Sequence, residues 1–163
     1  MRCEPDAEHV AVGDVVPIPG GFSRETFRFE ADLRCAGTTK RSAYILRKDP
    51  PYETAILHTQ RSIEHDLIEA VRARTSIPVP RSIGYEMNPS VFGEAAMVLE
   101  CADGSSTTSN LFFDGPDTDQ ADDVIRHLCE ALVELHETPI DSLDPSGNLR
   151  DPRGVGINAT NWD

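Results

Sequence analysis

The sequence has little positive charge for its length of 163 residues. Its 15 lysines and arginines stand against 28 aspartates and glutamates, which gives a net charge of −13. An acidic surface repels nucleic-acid backbones and anionic lipid headgroups. We therefore expect no nucleic-acid partner and no membrane partner. The acidity would suit a cationic substrate, although it is more often a solubility feature of the whole surface.

Cysteine is scarce and scattered, and long apolar runs are missing. Cys3, Cys35, Cys101 and Cys129 form no C-x-x-C pair, so neither a zinc site nor a disulfide framework is predicted. Free thiols are typical of a reducing compartment. The chain does not open with a secretory signal pattern, and no run approaches the ~18 apolar residues of a membrane span. These absences predict a cytoplasmic protein.

The sequence does contain several short strand patterns. Apolar and polar residues alternate in Phe27–Leu33, and a second apolar strand runs over Ser42–Arg47. The polar stretch 34–40 between them predicts the connection of a hairpin. Two further strands are predicted at Ser82–Glu86 and Ala95–Cys101.

Two longer stretches have the spacing of amphipathic helices. The first covers about 54–74, with its apolar stripe at Ile63, Leu67, Ala70 and Val71. The second covers 119–136, with its apolar face at Val124, Leu128, Ala131, Leu132 and Leu135. The tail from Asp141, rich in proline and glycine, predicts a loop. Together these patterns predict an α+β fold.

The composition divides the chain at a polar linker. The stretch rich in serine and threonine after Ala102 has no hydrophobic period, which is typical of a linker. We therefore predict a first lobe over residues 1–102, a hinge or linker over 103–118, and the start of an incomplete helical lobe over 119–163. A chain of this length can form one domain, or one small lobe and part of another.

The candidates for chemistry lie around a glycine turn. Gly20, Gly21 and Ser23 precede the first strand, and glycine lets backbone N–H groups approach an anion closely. Arg47 ends the second strand, and Glu64 flanks the helix stripe, where a carboxylate can orient that cation. Taken singly, Arg47 fits a solvated strand end and Glu64 an exposed helix charge. Together with the turn, they favour a site for nucleotide phosphates.

Six short motifs in a fixed order resemble those of a known family. They are GGFSRETF (20–27), YILRKDPP (44–51), Glu64, IPVPR (77–81), MVLECADG (97–104) and LVELH (132–136). Over about residues 15–140 the chain resembles the N-terminal lobe and the start of the C-lobe of the aminoglycoside phosphotransferase-like, or choline-kinase-like, superfamily. It is similar to the branch that includes the kinase domain of certain acyl-CoA dehydrogenase family proteins. The resemblance implies a protein-kinase-like N-lobe, an antiparallel sheet with one packed helix, followed by the first helix of a truncated C-lobe.

The resemblance also implies a function and a set of binding residues. The function is an ATP-dependent phosphotransferase acting on a hydroxyl of a small metabolite or aminoglycoside-like acceptor, with Mg²⁺ in the complete enzyme. The turn would cover the ATP phosphates, Arg47 paired with Glu64 would bind the α- and β-phosphates, and backbone groups near the hinge would bind adenine. Lys48 is the alternative cation if the strand register shifts by one residue. The implied cofactor-binding residues are Gly20, Gly21, Ser23, Arg47, Glu64, Glu100 and Ala102.

One departure from the family pattern is large. The superfamily's His-Gly-Asp…Asn segment, which orients the acceptor hydroxyl and helps to hold magnesium, occurs nowhere in these 163 residues. We therefore predict no catalytic residue and no metal ligand in this chain, and expect a truncated form that lacks the catalytic loop. Two alternatives stay open. One is a non-catalytic remnant that binds a nucleotide, or a partner through its exposed lobe boundary; the other is an α+β domain whose glycine turn is only a hairpin.

Overall fold

The computed structural model describes residues 7–19, 24–51, 60–104 and 118–149. In chain order these residues form β1 (His9–Val12), β2 (Val16–Pro17), β3 (Glu25–Cys35), β4 (Thr38–Lys48), α1 (Arg61–Arg74), β5 (Ser82–Glu86), α2 (Pro89–Phe92), β6 (Ala96–Glu100), α3 (Thr118–Glu137) and α4 (Ile140–Leu143). The mixed α and β content confirms the predicted fold class. The predicted linker falls mainly on residues 105–117, which lie outside the described ranges, so the lobe boundaries stay a prediction.

The six strands that the structure describes belong to one antiparallel sheet. The strand order is β1-β3-β4-β6-β5, and β2 pairs with the start of β3. The register of the central strand β4 places Arg47 opposite Thr26 on one side and Met97 on the other. Because both neighbouring strands pair with β4, hydrogen-bonded ladders fix the backbone of Arg47 near one end of the sheet.

The predicted length of the hairpin connection is wrong. The sequence predicts a connection over 34–40, whereas the chain turns at two residues, Ala36 and Gly37, with φ angles of 47° and 78°. A two-residue turn with positive φ at both positions matches the twist of antiparallel strands, so the ladder continues to the pair Cys35–Thr38. The strand residues at the hairpin tip are exposed on both faces, so they are polar throughout and do not alternate with apolar residues. This is why the sequence pattern did not reveal them as strand.

The two faces of the sheet carry different groups of residues. One face carries a core cluster of Ala31, Leu33, Tyr44 and Ile83. Successive strand residues point to opposite faces, so Arg47 and its neighbour Met97 lie on the other face. Helix α1 packs there, against β5 and β6, and Met97 is fully buried. This packing places the first turn of α1 beside the end of β4.

Helix α1 carries the predicted apolar stripe. Val71 is buried, and the other members of the stripe are half-buried: Ile63, Leu67 and Ala70. The helix begins at Arg61, and the part of the prediction that falls on 52–59 lies outside the described residues. Its N-cap residue, Gln60, makes no side-chain capping hydrogen bond. Contacts other than a cap therefore fix the first turn of this helix.

Helix α3 is one residue longer at each end than predicted. Its Glu134 carboxylate accepts hydrogen bonds from the N–H and the hydroxyl of Ser76, both at 2.6 Å, and so joins α3 to the segment after α1. The tail prediction from Asp141 is wrong in part, because α4 forms a helical turn there and packs against α1 with Leu143 buried. The large apolar residues on the predicted face of α3 are exposed: Val124, Leu128, Leu132 and Leu135.

Candidate functional site

The cation at the end of β4 contacts a carboxylate of α1. Arg47 Nη1 donates a hydrogen bond to Glu64 Oε1 at 2.9 Å, and the two side chains are 32% and 21% exposed. The sheet fixes Arg47 and the packed stripe of α1 fixes Glu64, so two separate elements determine the geometry of the pair. A guanidinium has five N–H donors, so Arg47 has more donors than this one bond to Glu64 requires.

The alternative cation, Lys48, lies on the other side of the strand. Its ammonium group pairs with the carboxylate of Glu25 on β3. Because Lys48 follows Arg47 directly, the two side chains point to opposite faces of the sheet. The structure therefore brings Arg47 to Glu64, and Lys48 to Glu25.

Two further residues of this site, Arg61 and Asp49, were missed by the sequence prediction. The Arg61 side chain is 0% exposed. Its Nε donates to Asp49 Oδ2 at 3.0 Å, its Nη2 pairs with Asp49 Oδ1, and its Nη1 pairs with Glu64 Oε2. The signal in the sequence is weak, because an arginine three residues before a glutamate is also the spacing of ordinary surface pairs on helices.

Arg24 completes the site and was likewise missed by the sequence prediction; it is the first described residue after the predicted glycine turn. Its Nε lies 3.6 Å from Asp49 Oδ1, and its Nη1 lies 3.6 Å from Glu64 Oε1. Burial lowers the pKa of Arg24, and the positive charge of Arg61 lowers it further. We call the five side chains the arginine cluster: Arg24, Arg47, Asp49, Arg61 and Glu64. Its three cations and two carboxylates leave one net positive charge, although the whole chain is strongly acidic.

The predicted phosphate-covering residues precede Arg24 in the chain. Gly20, Gly21 and Ser23 lie outside the described residues. The strands before and after them are paired, and Ile18 N–H donates to the carbonyl of Thr26 at 2.8 Å. The role of the turn stays a prediction.

The predicted adenine-binding residues lie at the end of β6, beside β4. Glu100 N–H donates to the carbonyl of Arg81 at 2.9 Å, and Cys101 N–H donates to the carbonyl of Ala43 at 3.0 Å. Ala102 follows them directly, and the chain continues through Gly104, whose φ of 137° favours glycine. The roles of Glu100 and Ala102 toward adenine stay predictions.

The described part of the chain shows neither a metal cluster nor a helix that could span a membrane. In residues 7–19, 24–51, 60–104 and 118–149, no group of three or more His, Cys, Asp or Glu side chains is arranged to hold a metal ion. His65 Nδ1 lies 2.7 Å from Ser82 Oγ, and its ring lies against Tyr85. Within the same ranges, no helix combines the length and the apolar character needed to cross a bilayer.

Comparison with known proteins assigns the family. The profile of the phosphotransferase enzyme family (APH) matches residues 14–163. The chain belongs to this family. It is 27% identical over 131 residues to the Arabidopsis thaliana protein named "Probable acyl-CoA dehydrogenase IBR3", over 76% of this chain and 14% of that protein. It also matches the crystal structure of a Ralstonia eutropha JMP134 protein named as an aminoglycoside phosphotransferase, with a TM-score of 0.60 and 16% identity.

These matches confirm the predicted family and the kinase-like fold, an antiparallel sheet with helices. The structural match covers 91% of this chain and 39% of the Ralstonia protein. The chain thus spans about two fifths of the solved relative and about a seventh of the plant protein. The similarity therefore shows the family and the fold of this chain. The activity of a whole relative is not assigned to the chain on this basis.

Proposed function

We propose that this chain forms the ATP-binding lobe of a phosphotransferase that transfers a γ-phosphate to a hydroxyl of a small metabolite or an aminoglycoside-like acceptor. The observation that carries the proposal is the pair of Arg47 and Glu64. A cation on a central strand, oriented by a carboxylate of a packed helix, is how kinase-type enzymes hold the nucleotide phosphates. The proposal assigns nucleotide binding to these 163 residues, which contain no His-Gly-Asp segment.

The proposal gives a task to each candidate group. Arg47 presents its guanidinium fork to the α- and β-phosphates, and Glu64 holds that fork in place, so that less freedom is lost on binding. Backbone N–H groups of the turn cover the phosphates, and backbone groups of the hinge bind adenine. The turn residues are Gly20, Gly21 and Ser23, and the adenine-binding residues, just before the predicted hinge, are Glu100 and Ala102. Mg²⁺ would accompany the nucleotide and neutralise charge on its phosphates.

The electrostatics of the arginine cluster fit a polyphosphate. The cluster keeps one net positive charge in a partly buried position, where burial and Arg61 already lower the pKa of Arg24. An anion placed there stabilises the charged arginines, and a charge-assisted hydrogen bond to phosphate is among the stronger polar contacts in proteins. We assign Mg²⁺ no ligand among the described residues.

Isothermal titration of the chain with Mg-ATP tests this proposal. Arg47→Ala should weaken binding about tenfold or more, which corresponds to about 1.4 kcal/mol, because a charge-assisted contact to phosphate is lost. Arg41→Ala is the matched control, since Arg41 lies on the same strand and pairs with Glu30 at 2.8 Å at the exposed end of the hairpin. Equal affinities of the wild type and Arg47→Ala would contradict the proposal.

A second candidate function is a non-catalytic lobe that associates with a partner protein. The exposed apolar residues of α3 favour it, because contiguous apolar surface is typical of interaction sites. Leu128, at 59% exposure, is the most exposed of them. Sedimentation of the chain over a range of concentrations should then show association that Leu128→Glu weakens. A chain that stays monomeric, and whose Leu128→Glu variant behaves identically, would count against a second copy of this chain as the partner that α3 binds.

We also propose a cytoplasmic location. Cys35, Cys101 and Cys129 have free thiols in the structure, and free thiols are typical of a reducing compartment. Alkylation of freshly isolated protein under denaturing conditions should modify all three cysteines. Disulfide-linked peptides that involve any of them would contradict this location.

A further inference from the structure

The buried arginine of the cluster connects the strand to the helix. Arg61 contacts both oxygens of Asp49, which follows β4 directly, and one oxygen of Glu64 on α1. The other oxygen of Glu64 accepts the bond from Arg47. The contacts therefore form a continuous series from Asp49 through Arg61 and Glu64 to Arg47.

Arg61 is the first residue of α1, and its contacts lie at the first turn of that helix. The N-cap residue Gln60 makes no side-chain capping bond, so the first turn of α1 is not fixed in the usual way. Burying a guanidinium is costly unless its donors are paired with carboxylates in good geometry, and Arg61 has three such contacts. These contacts fasten the first turn of α1 to the end of β4 and fix the rotamer of Glu64.

We infer that Arg61 is a positioning residue, which ties Asp49 to Glu64 and thereby holds Glu64 where it orients Arg47 for phosphate. The inference rests on the proposed function, since the oriented group is the proposed phosphate ligand. Arg61 acts through Glu64, so its effect on binding requires Glu64 to be present.

Asp49→Asn separates positioning from simple electrostatics. Removing a negative charge near a phosphate site should tighten Mg-ATP binding if only long-range charge matters. If positioning matters, Asp49→Asn should weaken binding about tenfold, because Arg61 loses its charged anchor. Glu30→Gln is the control, because it removes one negative charge from the exposed ion pair of Arg41 and Glu30. It should leave the affinity for Mg-ATP unchanged. Unchanged or tighter binding by Asp49→Asn would overturn the inference.

A double-mutant cycle tests whether the effect passes through Glu64. In a Glu64→Gln background, Asp49→Asn should cause no further loss of Mg-ATP affinity, because the group being positioned is already altered. Independent, additive losses would overturn the inference. Arg61→Lys is a second variant, which keeps the positive charge but cannot contact both carboxylates in the same way. Its affinity for Mg-ATP should fall about as much as that of Asp49→Asn.

A nucleotide-free readout distinguishes failure of this inference from failure of the proposed function. In ¹⁵N NMR spectra of the full chain without ATP, the Arg47 guanidinium should show the slowed rotation of a fixed ion pair. Asp49→Asn should remove this signature, and Arg41→Gln should leave it. If the wild type binds no Mg-ATP, the proposed function fails, and the Arg47 signal still decides whether Arg61 positions the pair. An Arg47 signal that is identical in the wild type and Asp49→Asn would overturn the inference.

Discussion

Two arginines of strand β4, Arg41 and Arg47, lie near opposite ends of the strand and form ion pairs of almost the same length. Arg47 Nη1 lies 2.9 Å from Glu64 Oε1, and Arg41 Nε lies 2.8 Å from Glu30 Oε2. The Arg41 side chain, however, is 67% exposed, about twice the exposure of Arg47. Hydrogen-bond length therefore does not distinguish the two ends of the strand.

Burial and the number of partners do distinguish them. The exposed pair lies in water, where solvent screening and side-chain entropy leave little net stabilisation. The Arg47 pair belongs to a cluster in which Glu64 is shared with Arg61 and Arg24, and removal of one member leaves other charges poorly solvated. We expect the Arg47 end of β4 to contribute to stability and binding, and the Arg41 end to contribute little.

Arg61→Met should have the largest effect. It leaves Asp49 and Glu64 without their buried partner, which should lower the free energy of unfolding by about 3–5 kcal/mol. Urea denaturation measures this loss. Arg126→Met is the control, because Arg126 also pairs with two acidic residues but is exposed on α3, and it should leave stability unchanged. Equal losses from both variants would contradict the importance of burial.

Glu64→Gln should have a smaller but clear effect. The amide keeps the size of the side chain but loses the charge that pairs with Arg47 and Arg61, so unfolding should become easier by about 1.5–3 kcal/mol. The comparison variant is Glu30→Gln at the exposed end, with both measured by urea denaturation. If both variants lower the free energy of unfolding by the same amount, the two ends of the strand do not differ in their contribution to stability.

Gly37→Ala tests what fixes the exposed end. Gly37 has a φ of 78°, and a Cβ there would meet no atom within 4 Å, so the substitution reports backbone strain alone. We expect a loss of about 1 kcal/mol in the free energy of unfolding, measured by thermal or urea denaturation. A neutral result would mean that the two-residue turn does not determine the hairpin.

Arg41→Gln should have the smallest effect on stability. The hydrogen bond from Arg41 lowers the pKa of Glu30. Because the folded pKa lies below the ordinary value of ~4.3, any stability from the pair is present above that pH and is lost as the pH falls through the folded pKa. NMR titration should show the Glu30 pKa rising in Arg41→Gln, with only a small loss in the free energy of unfolding at pH 7, because the pair is exposed to solvent. A loss at pH 7 as large as that of Glu64→Gln would contradict this expectation.

Local periodicity made part of the site predictable. The alternation in Phe27–Leu33 and the stripe of α1 follow from which side chains are buried, so both are visible in the sequence. Arg47 ends the strand that follows Phe27–Leu33, and Glu64 flanks the stripe. Their pairing therefore follows from packing the helix on the sheet.

The rest of the cluster depends on contacts that local patterns do not encode. Charged residues are rarely fully buried, and nothing in the sequence around Arg61 marks it as an exception. Asp49 lies twelve residues before Arg61 and meets it only when α1 docks beside the end of β4. The strand residues at the hairpin tip were missed because of their exposure. Thr38 to Arg41 are all exposed, so polar and apolar residues do not alternate there.

The most direct test of the central claim follows the arginine side-chain ¹⁵N signals of the wild-type chain during titration with Mg-ATP. The phosphates should shift the Arg47 guanidinium signals in a saturable way, because Arg47 contacts them, and should leave those of Arg41 unchanged. Saturable binding with an unshifted Arg47, or equal shifts at both arginines, would contradict the claim that the Glu64 end of β4 binds the nucleotide.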